Sequence, residues 1–566
     1  MKAKQSKAKQ RINNTGTYLF FALVITNILI TSIAWPNWVF GGEMWAEMAT
    51  NYYRNSLSHD IRIAFFSTDY GYYSIPQRAI AFLITLLDTP KAYVPYFYTW
   101  SALVISSCLV GSFCLDYYST VIKNPFLRLV SCFMVLWLVD FEVRTFINFT
   151  YFAAFFISIT VAAMMRYPKK QASLIAKYLP LFIISKPAVL IICPALLVAI
   201  IKSKSHILIF TLGLAFIQVI RLLYSHYEGV GNAQSLELTP YLLVDTGIYF
   251  FGFMGQWLMG PYISNFLGFN LIKIVSVAIG ASFFLTTSFL IFKFQIKKEL
   301  PLILTGLSVL ICGIVFNQIT NPVDYNEFTR PLRYFILGGR QTSVLFFGWV
   351  LIFISFVSIV SRHSLLSRYI LAGPATLMAY LFLAGYMHLM AQFFDEPKVT
   401  TLNIGQWQNQ TQETQPIRNE ICIPINPLGW AYLENCNRLN ENINWGTKFI
   451  FNRELPKGEY LHLDIKRFSL NENAGSNLLS LGVVIKPETN DHQKTPISGR
   501  LIIETKDKKY IDMFSTQNIL DSGGLFYFTF DAVPINDIST IKVNFSHSIY
   551  IATTIESTPI AIFFGR

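Results

Sequence analysis

Charge is what this chain lacks most. Only 14% of its 566 residues are Asp, Glu, Lys or Arg, against 53% hydrophobic, and the mean hydropathy is +0.43. That balance excludes an ordinary water-soluble enzyme and reads as an integral membrane protein. Several separate apolar runs approach or exceed the roughly 20 residues that cross a bilayer, which excludes a single anchor and leaves a polytopic helical bundle. Acidic residues are scarcer than basic ones, 33 against 45, for a formal charge of +12. Such an excess suits nucleic acid in a soluble protein, but here Lys and Arg fall mostly in short turns between apolar runs. They act as topology signals, so the implied partner is the lipid bilayer and no nucleic acid is expected. Cysteine is also sparse, seven in all. Cys108, Cys114, Cys132, Cys193 and Cys312 lie in apolar runs and read as small buried hydrophobes. Cys422 and Cys436, in a polar region, read as a local disulfide if that region faces an oxidising compartment.

A cleavable leader is missing too. Lys2, Lys4, Lys7, Lys9 and Arg11 precede an apolar run from Tyr18 to Trp35, but no small-residue cleavage pattern follows. The run passes straight into Trp35-Pro36-Asn37-Trp38, an interfacial aromatic belt, so it reads as a retained first span with its N-terminus inside. Further spans are expected over 94–115, 129–139, 149–165, 207–224, 271–292, 302–316, 343–360 and 369–387. A pair of short runs lies at 178–184 and 188–201, and 249–262 reads as a re-entrant or interfacial segment. The total is about eleven spans with the C-terminus outside, the fold class being a polytopic α-helical membrane bundle. No internal repeat appears, and the Gln-rich 406–415 reads as a linker. After His388 the pattern changes to period two: Leu461, Leu463 and Ile465 alternate with polar residues, and short strand-like runs follow at 501–504, 525–530 and 541–545. This predicts a C-terminal extracytoplasmic β-sandwich, 391–566, behind a membrane domain, 1–390.

Because ionisable groups near a membrane are costly, those recurring on one side of the bundle are candidates for function. On the outer side, Glu43 directly follows Gly41-Gly42 at the end of the first span, with Glu47 one turn beyond on a helix expected to start near Glu43. Asp69 stands in a polar turn of the same loop, and Asp140-Phe141-Glu142 closes the third span. These four acids, Glu43, Asp69, Asp140 and Glu142, are the candidate catalytic groups. The cations on that side are Arg78, Arg144, Lys186, His226, Arg330, Arg333 and Arg340. Guanidinium groups in the 321–335 loop suit bidentate phosphate recognition. Arg78, Lys186, Arg330, Arg333, Tyr334 and Arg340 are therefore the candidate substrate-binding set.

The first-loop acid, the Asp140/Glu142 acid-x-acid pair after the third span, the span number and the external C-terminal β region resemble the GT-C superfamily of polyprenyl-phosphate-dependent glycosyltransferases. Glu43-Met44-Trp45-Ala46-Glu47 is similar to the acid-x-x-Tyr-Ala-Glu pattern of its aminoarabinose and mannosyl transferase branches, with Trp45 near the Tyr place and Met44 replacing a second acid. Asp140-Phe141-Glu142 is similar to the acid-x-acid motif of the oligosaccharyltransferase branch. The stretches from Asp69 to Arg78, from Glu142 to Asn148 and Arg333-Tyr334-Phe335 resemble recurrent motifs of bacterial membrane proteins of this type. The resemblance covers residues 1–390. It implies an inverting hexosyltransferase of the bacterial inner membrane, moving a sugar from a polyprenyl-phosphate donor to a glycan or lipid acceptor such as lipopolysaccharide O-antigen. Glu43 would be the base, and Arg333 with Arg330 or Lys186 would hold the phosphate. It also raises a divalent cation, Mg or Mn, at Asp140 and Glu142, although two carboxylates at i and i+2 make a poor ion site alone. A transporter or flippase of lipid-linked saccharide, and a polymerase, are the competing classes. The first predicts midplane charges and repeats, the second a large loop between spans.

Overall fold

In the computed structural model of the chain, the residues described are 2–69, 71–139, 141–167, 173–227, 242–266, 269–294, 296–320, 340–362, 407, 411, 421–425, 430–434, 437–438, 450–463, 477–488, 495–519, 524–553, 559 and 561–565. The chain forms two compact units. One comprises Met1–Trp35, His59–Phe82 and Trp100–Glu396; the other comprises Pro36–Ser58, Leu83–Thr99 and Pro397–Arg566.

The first unit is helical. Its main elements are α1 (Lys2–Ala34), α2 (Ile75–Leu86), α3 (Val94–Gly111), α4 (Pro125–Trp137), α5 (Phe152–Arg166), α6 (Cys193–Ser203), α7 (His206–Tyr227), α8 (Leu242–Phe266), α9 (Phe269–Lys293), α10 (Leu300–Thr320) and α11 (Arg340–Arg362), of which α2 and α3 begin or end in the second unit. Among the described residues seven helices are long and apolar enough to cross a membrane, fewer than the span count expected from hydropathy. The difference has identifiable causes. Asn124 caps α4 by accepting hydrogen bonds from the backbone N–H of Phe126 and Leu127 with Pro125 at the first helical position, which sets its start, and the helix ends at Trp137 after only 13 residues. The runs at 178–184 and 188–201 become the short helix Leu179–Ile183, a 3₁₀ stretch Pro187–Ile192 and α6. The expected re-entrant segment 249–262 lies within the 25-residue α8, interrupted at Gly260. The expected span 369–387 lies outside the described residues.

Helix α5 is apolar on every face and 94% of its span is buried, so it is the helix around which α6, α10 and α11 pack. One set of polar groups inside the bundle ties three helices together. Asn27 of α1 donates to the Ser107 hydroxyl of α3 (2.8 Å) and accepts from the Trp137 indole at the end of α4 (2.9 Å). In an apolar medium such bonds average about 0.6 kcal/mol each and fix helix rotation more than they stabilise. Trp257 of α8 stacks on Phe346 of α11 at 4.0 Å, and Trp349 stacks on Phe353 at 4.9 Å.

The second unit contains the β region. Its strands are β1 (Ile421–Ile425), β2 (Trp430–Glu434), β3 (Asn437–Arg438), β4 (Ile450–Leu455), β5 (Leu461–Leu463), β6 (Asn477–Pro487), β7 (Thr495–Thr505), β8 (Tyr510–Ile519), β9 (Gly524–Pro534), β10 (Ile538–Phe545), β11 (Ile549–Thr553) and β12 (Ala561–Gly565). A four-stranded sheet runs β5-β10-β7-β8, a second runs β3-β12-β6-β11-β4 with β9 also on β6, and β1 pairs with β2. The period-two reading holds in β10, where Ile541, Val543 and Phe545 are buried between the less buried Thr540, Lys542 and Asn544. Both larger sheets send side chains into one apolar cluster, including Leu501 and Val543 from the first and Leu481 and Ile551 from the second. Cys422 lies on β1 opposite Leu433, while Cys436, its expected partner, lies outside the described residues.

The same unit carries an aromatic triangle. Tyr53, Trp407 and Tyr432 place their ring centroids 5.3–5.7 Å apart, and the Trp407 indole N–H donates to the Lys91 carbonyl at 2.7 Å. The Ser56 and Thr85 hydroxyls share a hydrogen bond of 2.7 Å.

Candidate functional site

Glu43 lies in the second unit, on a stiff connection. The backbone leaves α1 through a single turn of helix, Pro36–Phe40, and then bends at Gly41, where a Cβ would stand 2.0 Å from the Asn37 carbonyl oxygen. Only glycine fits there. The chain beyond is not helical, with Gly42 at φ 65°, so Glu43 precedes rather than begins the next helix. A turn at Ala46 (φ 42°) and a π-helical segment, Met48–Tyr53, follow, with Glu47 just before it. The expectation that Glu43 and Glu47 share one helical face is corrected: they lie on either side of that turn. Glu43 is buried (3% exposed) and Glu47 half-buried. Next to Glu43, Trp45 packs edge-on against Trp38 at 6.4 Å. A carboxylate this buried persists only where its surroundings offset the lost hydration.

Asp69 lies in the first unit, in a tight turn that closes on itself. The Asp69 N–H donates to the Tyr72 carbonyl (2.9 Å) and the Tyr72 N–H to the Asp69 carbonyl (3.1 Å). Gly71 makes the turn possible with φ +86°, and a Cβ there would collide with Ser225 of α7, whose hydroxyl donates to the Gly71 carbonyl. Two turns earlier on α7, Gln218 clamps the neighbouring backbone from both sides, accepting from the Tyr73 N–H (3.1 Å) and donating to the Tyr73 carbonyl (3.0 Å). The turn therefore has a fixed shape.

Buried charges converge on that turn. Both Asp69 carboxylate oxygens are engaged: Oδ2 accepts from the Ser74 hydroxyl and Oδ1 from Arg78 Nη2 at 2.8 Å, with acid and guanidinium 2% and 1% exposed. Lys186 is also buried. It donates to the Tyr72 hydroxyl at 2.6 Å and stands over the Tyr72 and Tyr151 rings at 5.0 and 5.9 Å. The segments are stitched together by Gln77, whose amide donates to the Ile147 carbonyl and the Thr150 hydroxyl, and by the Ile75 N–H, which donates to the Ile184 carbonyl. On the 141–151 segment, Arg144 is buried over the Trp35 ring at 4.7 Å, and Glu142 is half-buried two residues before it.

The structure thus gathers Asp69 on its turn and Arg78 in the first turn of α2, nine residues apart, with Lys186 from a segment more than 100 residues further on. Glu43 belongs to the other unit. Asp140, Arg330, Arg333 and Tyr334 lie outside the described residues, and Arg340 is placed only as the first residue of α11. Among the described residues no three His, Cys, Asp or Glu side chains gather at one point, and Asp140 is not among those residues, so the Mg or Mn expectation falls on one acid seen and one unseen. Sequence reasoning missed Tyr72, Tyr151, Gln218 and Ser225. Gln218 carried a signal, a large amide inside an apolar run; Tyr151 carried none.

The chain matches no family model, no curated protein and no solved structure.

Proposed function

We propose that this chain is a membrane glycosyltransferase of the GT-C type: a bundle of about eleven spans with an external C-terminal β-sandwich, transferring a sugar from a polyprenyl-phosphate donor to a glycan or lipid-linked acceptor. One observation supports it most: the buried set of Asp69 on its tight turn, Arg78 in the first turn of α2 and Lys186 just before Pro187, in a chain with seven helices able to span a membrane among the described residues. Buried ionisable groups in membrane proteins mark substrate or ion paths more often than they serve packing. With Arg144 the buried cations here number three against one buried carboxylate, a balance suited to an anionic ligand such as a lipid phosphate.

In the proposed reaction, Glu43 takes the proton of an acceptor hydroxyl and the acceptor oxygen bonds to the anomeric carbon from the face opposite the leaving group. The bond from that carbon to the phosphate oxygen breaks, and its electron pair leaves with polyprenyl phosphate. Lys186 meets the developing phosphate charge. Asp69, with both oxygens occupied, is a positioning residue that shapes the turn carrying Tyr72. The bacterial inner membrane, with the N-terminus cytoplasmic, is the placement this reading carries.

The test is transfer of a labelled hexose from a polyprenyl-phosphate donor by membranes containing the intact protein. Glu43→Gln at matched expression is expected to lower the rate by about 10²-fold or more. Full activity in that variant rejects Glu43 as base and moves the search to Asp69, Asp140 and Glu142. A flippase reading has one observation of its own, the break of α8 at Gly260 (φ 71°), since interrupted helices line transport paths. Movement of lipid-linked sugar across a vesicle bilayer without any transfer would favour it.

A further inference from the structure

The open side of the β5-β10-β7-β8 sheet has a pattern that folding does not require. Its inner side packs into the apolar cluster through Leu501, Ile503, Ile541 and Val543. The alternate residues face away, and they are not a random solvated set. One row crosses the sheet at a single register: Phe514 on β8 is opposite Arg500 on β7, which is opposite Asn544 on β10, and Tyr460 comes next, just before Leu461 of β5, which is opposite Val543. The row ends in an aromatic ring on each side, Phe514 being 73% exposed and Tyr460 37%. Three strand spacings separate the two ends, about 14 Å.

The centre of the row is held rigid. Arg500 forms a fork with Asp512, Nε donating to Oδ1 at 2.8 Å and Nη2 to Oδ2 at 2.5 Å. The guanidinium also lies over the Phe514 ring at 5.2 Å. Two strand pairs further along β8, Tyr510 is 62% exposed opposite Glu504. An exposed aromatic in water is unfavourable, and two or three fixed on one flat face mark a binding surface rather than chance.

The charge pattern selects the occupant. Outward-facing charges on the four strands are Arg500 and Lys542 against Glu504 and Asp512, two of each sign, so the face is neutral. A nucleic acid, an anionic lipid surface or a strongly charged peptide gains nothing there. A neutral, polar ligand with flat C–H faces fits instead: the rings stack on those faces, and the fixed fork of Arg500 and Asp512 with the Asn544 amide offers donors and acceptors to hydroxyl groups. We infer that this sheet face is a binding site for an uncharged glycan, a few sugar units long, centred on Phe514, Arg500 and Asn544. The inference goes beyond glycosyl transfer and does not depend on it.

The test uses the full-length protein in lipid nanodiscs, because the β region shares its unit with residues 36–58 and 83–99. Retardation is measured in native gels containing, one at a time, dextran, mannan, galactan and xyloglucan as neutral probes and heparin as the charged one. At least one neutral polysaccharide is expected to retard the protein. Phe514→Ala is expected to weaken that by about fivefold to tenfold, the value of one aromatic platform, and Asn544→Leu by a similar factor, with thermal unfolding of both variants unchanged since Phe514 is exposed and Asn544, half-buried, lies on the outer side of the sheet rather than in the apolar cluster. Glu43→Gln should leave retardation intact while removing transfer, so the two readings fail separately. No retardation by any of the neutral probes, retardation by heparin alone, or retardation that survives both Phe514→Ala and Asn544→Leu would each overturn the inference.

Discussion

Breaking the Asp69–Arg78 pair tests whether the 69–78 turn is held by charge. The two groups meet at 2.8 Å with almost no exposure. At an effective dielectric near 20, Coulomb attraction at that distance is about 6 kcal/mol, and desolvation of both ions opposes it, so the net worth of the pair is small while the cost of removing one member is large. Arg78→Met leaves the Asp69 carboxylate with the Ser74 hydroxyl but without this counterion. Asp69→Asn leaves the Arg78 guanidinium buried beside a neutral amide. Each is expected to destabilise the helical unit by about 3–5 kcal/mol. The double variant, with no ion left stranded, should fall short of the sum of the singles by about 2 kcal/mol or more. The assay is equilibrium unfolding by SDS titration in mixed micelles, run as a double-mutant cycle on the full chain. Singles that cost under about 1 kcal/mol, or a double variant equal to the sum, would refute the argument that these residues act as a buried pair.

Two further outcomes follow from the second unit. Trp407→Phe should cost about 1 kcal/mol through loss of the indole bond to the Lys91 carbonyl, and Trp407→Ala about 3–5 kcal/mol by emptying the triangle with Tyr53 and Tyr432, both read as shifts in thermal unfolding. The β7-β8 hairpin should loosen in acid. Lys509 and Thr505 hold the Asp507 carboxyl down from its ordinary 3.8 to about 2, and Arg500 holds Asp512 below its ordinary value. A depressed carboxylate contributes stability that is present above its unfolded pKa and lost as pH falls through the folded one, so the loss is placed between about pH 4 and pH 2. Amide exchange protection over 495–519, corrected for intrinsic rate, should fall in that window, and Asp507→Asn with Asp512→Asn should remove the dependence; protection that is flat in the native chain contradicts it.

Much of the architecture was legible because it follows from burial pattern alone. The apolar runs at 94–115, 149–165, 207–224, 271–292, 302–316 and 343–360 all fall in helices, and the strand-like runs at 461–465, 501–504, 525–530 and 541–545 all coincide with or overlap strands of the β region. Length was less legible, since hydropathy does not see caps and breaks: Asn124-Pro125 starts α4 before the apolar run begins, Lys186-Pro187 divides the segment before α6, and Gly260 interrupts α8. Of the site, the stretch from Asp69 to Arg78 was visible as a charged, glycine-containing turn in an apolar chain. Its geometry was not, because the residues that fix it, Gln218 and Ser225 on α7 and Tyr151 before α5, come from elsewhere in the sequence and are ordinary in their own surroundings. The helix expected at Glu43 failed for a local reason: Gly41 packs its backbone against Asn37 and turns the chain before the helix starts.

The division of the chain bears on what holds each candidate acid in place. Residues 36–58 and 83–99 belong to the unit that contains the β region, yet each is covalently continuous with helices of the other unit, through α1 on one side and through α2 and α3 on the other. Glu43 thus rides on a segment whose order depends on Tyr53 meeting Trp407 and Tyr432, residues more than 350 positions later in the sequence. Asp69, by contrast, is fixed by α7 and the 141–151 segment. A defect in the β region that loosens the aromatic triangle should therefore disturb the segment after Glu43 and leave the Asp69–Arg78 pair intact. In Trp407→Ala, amide exchange protection over 47–56 should fall while protection over 71–80 stays unchanged; loss of both together would contradict the separate anchoring of the two acids.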